Sequence, residues 1–127
     1  MFLPCNLSVS IPEIKNIAAT SGPHVDGRGD LRAELQVAFY VDMDGDGMWS
    51  AGDVGLAADC STYMAQSLQY APLDKYGAVT WLNAVVMEGG RQCTLILLWR
   101  IPIAAGNEIQ GDSVSFDIKF NLAQYLQ

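Results

Sequence analysis

The chain has 127 residues, enough for one domain around a single core, with 14 Asp and Glu against 7 Lys and Arg for a net charge of −7. Half of its residues are hydrophobic and 17% are charged, which excludes an intrinsically disordered composition. No apolar run reaches the roughly 20 residues needed to cross a bilayer. The basic residues are scattered, so no nucleic-acid partner is expected either.

The chain opens Met1-Phe2-Leu3-Pro4-Cys5, without the charged and apolar regions of an export signal, so it reads as a mature sequence or as one whose start has been cut off. Leu7, Val9 and Ile11 alternate with Ser8 and Ser10 in a short strand that stops at Pro12. Breakers follow at Ser21-Gly22-Pro23 and at Asp26–Asp30. In Leu31–Val41, the residues Leu31, Ala33, Leu35, Val37, Phe39 and Val41 share one face, and Arg32, Glu34, Gln36 and Tyr40 share the other. That alternation predicts a strand with one side in the core and one in water. The acidic segment Asp42–Asp53 comes next. Between Ala57 and Met87 the pattern is mixed: Ser61–Tyr70 fits a short helix or an irregular strand, and Val79–Val86 fits a strand.

After Glu88-Gly89-Gly90, the run Cys93–Ile101 is apolar on both faces, with Ile96 and Leu98 opposing Leu95, Leu97 and Trp99. A central strand, or one covered on both sides, has this composition. Beyond the breaker Ala105–Gly111, the residues Val114, Phe116, Ile118, Phe120 and Leu122 alternate with Ser115, Asp117, Lys119 and Asn121 in a closing strand over Val114–Leu122. Short strands separated by Gly-rich turns, without repeated βαβ units, predict an all-β fold: a single antiparallel β-sandwich domain over residues 1–127 with at most one short helix.

Asp42-Met43-Asp44-Gly45-Asp46-Gly47-Met48-Trp49-Ser50-Ala51-Gly52-Asp53 matches a twelve-residue calcium loop position by position. Carboxylates of Asp42, Asp44, Asp46 and Asp53 fall at ligand positions. Gly47 stands where the chain turns sharply, Met48 offers a backbone carbonyl, and Ser50 acts directly or through water. Calcium takes six to eight oxygens, and alternating aspartates on a tight loop converge on one point. Asp53 stands where Glu is usual, and the loop follows a strand, so a helix–loop–helix switch is not expected. The competing reading is an acidic turn without an ion, since Asp-Gly favours turns in any case.

Other constellations are thin. His24 is the only histidine, which leaves no two-histidine zinc motif, and nothing marks Ser21, Cys60 or Cys93 as a nucleophile, so no enzyme and no small-molecule substrate are expected. Cys5, Cys60 and Cys93 allow one internal disulfide in three pairings, or three buried thiols. Arg28-Gly29-Asp30 spells an adhesion tripeptide too short to count, and Asp26 and Asp30 read as solvated turn residues. Trp81 and Trp99 are expected in the core, with a sugar-stacking platform of Trp49, Trp81 and Trp99 as the alternative.

The stretch from Leu98-Trp99-Arg100-Ile101-Pro102 through Gly106-Asn107-Glu108-Ile109-Gln110-Gly111-Asp112-Ser113-Val114-Ser115-Phe116-Asp117 resembles the end of TasA/camelysin-like proteins, especially archaeal ones. There a W-x-(I/L)-P strand leads to G-N-E-(I/V)-Q-G-D-S-V-S-F-D. Phe39-Tyr40-Val41 followed by Asp42–Asp53 also resembles that family's strand and acidic loop. The family's opening segments, F-x-x-G-T-L-D-L and the strand region after it, have no counterpart before Asn6. The resemblance implies an exported, jelly-roll-like subunit of extracellular fibres or bundling pili of a biofilm matrix, self-associating into filaments by donor-strand complementation. A monomeric calcium-stabilised module for surface polysaccharide or protein is the alternative. A camelysin-type protease is a weaker one, since no zinc motif exists here to carry that activity over.

Overall fold

The computed structural model describes residues 4–17, 31–64, 67–88, 90–102 and 112–124. The fold is mostly β. Strands β1 (Cys5–Ile11), β7 (Val79–Met87) and β10 (Lys119–Gln124) make one antiparallel sheet in the order β10-β1-β7. Strand β3 (Gln36–Asp42) centres a second sheet. One of its edges pairs along its whole length with β8 (Thr94–Arg100), and the other is shared by β4 (Val54–Leu56) and β6 (Ala71–Pro72), with β5 (Thr62–Tyr63) outside β4. The remaining pair, β2 (Ile14–Ile17) and β9 (Ser113–Phe116), continues the β1/β10 ribbon beyond a break at residues 12–13 and 117–118.

The two main sheets face each other across one apolar layer. Leu7, Val9 and Ile11 of β1 and Val79, Trp81 and Val85 of β7 meet Val37, Phe39 and Val41 of β3 and Leu56 of β4. The Phe39 ring sits edge-on to Tyr76 at 4.9 Å and tilted to Trp81 at 5.8 Å, arrangements that suit the aromatic quadrupole. The polar tips are satisfied within this layer: the Tyr76 hydroxyl donates to the Val37 carbonyl at 3.2 Å, and Trp81 Nε1 donates to the Ala57 carbonyl at 2.8 Å. Where β1 passes β7 the register slips between Leu7 and Val9. Asn83 takes up the excess with φ 51, its N–H donating to Ser8 Oγ at 2.9 Å, as in a bulge.

The strands expected at Leu7–Ile11 and Val79–Val86 are present. Other expectations need correction. Residues 31–34 form a single helical turn, α1 (Leu31–Glu34), closed by the Leu35 N–H on the Leu31 carbonyl at 2.8 Å, so the strand begins only at Gln36. Its second face is not in water: Ala38 and Tyr40 are as buried as Phe39. The closing strand is two strands in different sheets, β9 against β2 and β10 against β1. The apolar run at residues 93–101 becomes β8, which among the described residues pairs with β3 alone and so lies at an edge.

Trp81 is buried as expected, whereas Trp99 is 62% exposed. Residues 61–70 hold only the two-residue β5 and no helix in their described part; a 3-10 turn lies further on, at Leu73–Tyr76. No disulfide links Cys5, Cys60 and Cys93; Cys60 is exposed, and Cys5 and Cys93 are half-buried. His24, Asp26 and residues 28–30 lie outside the described residues. No helix among the described residues is long and apolar enough to cross a membrane.

Candidate metal centre

The acidic loop is the connection from β3 to β4, and its two ends are the best-buried carboxylates of the described residues: Asp42 closes β3 and Asp53 precedes β4, 2% and 0% exposed. Gly45, Gly47 and Gly52 take φ of 76, 72 and 96, the left-handed region that glycine enters without strain. These turns fold the segment back on itself so that its N–H groups point inward. Asp42 accepts from Gly45 N at 3.0 Å through one oxygen and from Gly47 N at 2.7 Å through the other. Asp53 accepts from Met43 N and from Ser50 N, both at 3.0 Å. Asp44 accepts from Asp46 N at 3.3 Å, and Asp46 from Met48 N at 2.9 Å.

The result is one cluster. Each of Asp42, Asp44, Asp46 and Asp53 places a carboxylate oxygen within 4.8 Å of the others. Ser50 stands among them, its Oγ 2.9 Å from Asp44 Oδ2 and 3.3 Å from Asp53 Oδ2. Of the six residues expected from the sequence, five therefore converge through their side chains. Met48, expected to act through its backbone carbonyl, keeps its side chain out of the cluster, 68% exposed.

Electrostatics follow from the crowding. Hydrogen bonding with Asp42 and from Ser50 holds the Asp44 carboxyl below the usual range. Asp46 is pushed up: the Met48 N–H pulls it down, but lost hydration and the neighbouring Asp44 and Asp42 outweigh that bond. Asp44 and Asp46 thus shift in opposite directions, as neighbouring carboxylates that share one site do. Their field reaches outward, since burial first, then Asp42, Asp53, Asp46 and Asp44 in turn, raise the Tyr40 phenol. Among the described residues the ion pair is Lys15–Glu13, far from the loop in sequence, and no basic side chain pairs with the cluster. The donor set is all oxygen, without imidazole or thiolate, which suits a hard cation such as calcium and suits zinc poorly.

An aromatic brace holds the loop against the second sheet, and the sequence pattern misplaced it. The Trp49 ring stands edge-on to Tyr40 at 5.3 Å and tilted to Tyr63 at 5.5 Å, and the Tyr40 hydroxyl donates to the Gly47 carbonyl at 3.4 Å. The available signal was Tyr40 itself, a large aromatic on the face otherwise assigned to water. Comparison of the chain with protein-family models, curated proteins and solved structures gives no match.

Proposed function

We propose that the protein is a calcium-stabilised β-sandwich, and that within this class it is a secreted, jelly-roll-like structural subunit of extracellular fibres or a biofilm matrix, assembled by a strand lent from one copy to the next. Calcium would be held by Asp42, Asp44, Asp46 and Asp53, with Ser50 and the Met48 carbonyl completing the shell. The ion would neutralise the clustered carboxylates and pin the β3–β4 connection; the reading carries no catalytic step.

The observation that supports assembly is the open side of the sandwich. Phe120 and Leu122 pair directly with buried Val9 and Leu7 and so face the core, yet they are 57% and 60% exposed. Trp99 pairs with buried Val37 and is likewise bare. Core-facing side chains left uncovered along one side are what a sandwich short of a strand presents, and a strand added from outside satisfies both backbone edge and apolar surface.

Terbium tests the ion, because Trp49 within the loop is placed to sensitise its emission. Calcium should displace that emission and raise the unfolding midpoint, and excess chelator should lower it. A midpoint indifferent to chelator, with no sensitised emission, refutes calcium. Electron microscopy and sedimentation of the calcium-loaded chain test assembly: filaments are expected, and a persistent monomer would leave only the binding-module alternative.

A further inference from the structure

The open side is bounded by two edges, β8 on one sheet and β10 on the other, and they are built differently. From Thr94 to Trp99 β8 carries no charge, and it is apolar on both faces: Leu95, Leu97 and Trp99 lie on the core side, Ile96 and Leu98 on the other. A strand of that composition belongs inside a sheet, but among the described residues β8 has one neighbour. By contrast, β10 alternates Lys119 and Asn121 with its apolar residues, and a lysine on an edge strand is a usual means of blunting it. Between the edges lies an apolar groove of about 370 Å³ lined by Leu7, Val41, Met87, Leu95, Phe120 and Leu122 among others.

Charge selects the occupant. The uncharged edge is bracketed by exposed Arg91, at the groove, and exposed Arg100, whose guanidinium lies 3.9 Å from the Tyr70 ring centre. Two cations flanking an apolar strip complement an apolar strand with acidic flanks. This chain carries twice as many acidic as basic residues, 14 against 7, so a second copy supplies the matching charge. We propose that the free edge of β8 is the acceptor, and that it takes an extended strand of a second copy of this chain. That strand hydrogen-bonds to alternate residues of Thr94–Arg100, and its alternate apolar side chains fill the groove. The proposal rests on the assembly reading above.

Hydrogen exchange on the full chain, dilute and assembled in calcium, tests it together with two variants. Assembly should slow exchange of alternate β8 amides and leave β10 unchanged. Trp99→Glu should raise the concentration needed for assembly at least about tenfold, as loss of a buried aromatic anchor does. Leu82→Glu, on a residue 74% exposed on β7, should leave it unchanged, with both variants keeping the parent's unfolding midpoint. Protection confined to β10, or equal behaviour of the two variants, overturns the β8 assignment while assembly stands. Assembly only after a different protein is added overturns the second copy as occupant. Absence of any association overturns the assembly reading itself.

Discussion

Tyr76 couples the core to alkaline pH. Burial first, with a smaller contribution from Tyr63, pushes its phenol from 10.0 up to about 12, so folding favours the neutral, protonated form. The sign follows: stability from this group is complete below the unfolded value and is lost as pH climbs from about 10 to about 12. Tyr76→Phe should cost about 1 kcal/mol at neutral pH through the lost bond to the Val37 carbonyl, and its stability should fall less steeply on the alkaline side. Denaturant titrations at about pH 8 and about pH 11 compare the two slopes; parallel decline would contradict the assignment. Asp53 makes a second residue-scale case. It is fully buried with both oxygens taken by Met43 and Ser50 N–H groups, so it supports the loop even without an ion. Asp53→Asn replaces one acceptor by a donor facing an N–H, and should destabilise the metal-free protein by about 1–3 kcal/mol while shrinking the chelator response. Urea unfolding in chelator measures the first effect, and stability equal to the parent's would sink it. The positions of the four aspartates were legible because ligand spacing is a local property. Their second role as backbone acceptors was not, since it depends on how three glycines turn the chain.

At the scale of elements, alternation located strands but not their partners. Val114, Phe116, Ile118, Phe120 and Leu122 keep one parity through the break at residues 117–118, so nothing in the period marks the passage from β9 to β10. The cause sits across the ribbon, where Pro12-Glu13 interrupts the partner strands β1 and β2. At α1 the same pattern misled, because four residues are too few for a two-residue period to exclude one helical turn. The second face of β3 reads polar through Gln36 and Asp42 at its two ends, and what covers its middle comes from the Trp49 loop and β5, brought in by tertiary packing. Gly55 of β4 reports on that cover. It pairs with Tyr63, and a Cβ there would run into the Tyr63 ring. Gly55→Ala should therefore shift the ring, loosen Trp49, and cost about 1–3 kcal/mol as overpacking does. Thermal unfolding and the near-ultraviolet circular dichroism of Trp49 report both effects, and an unchanged spectrum would show the brace to be looser than its geometry.

For the whole molecule, an all-β sandwich was legible from short strands, Gly-rich turns and the lack of βαβ units. The edge position of β8 among the described residues was not: Cys93 to Ile101 has the composition of an interior strand, and composition does not place a strand within its sheet. Trp99 was assigned to the core for the same reason, and in parity it does face the core, but the layer above it is absent among the described residues.

The pairing of β1 with β10 has a mechanical consequence. Cys5 lies opposite Gln124 at one end of the ribbon, and Ser10 lies opposite Lys119 at the other. Tension applied through Cys5 and Gln124 would fall on a single rung, then on the next, peeling the strands apart like a zipper. A pull along the length of β8 would instead strain every rung between β8 and β3 at once. Any cable made of such units would hold far more load through a borrowed strand than through the outer ends of its own first and last strands.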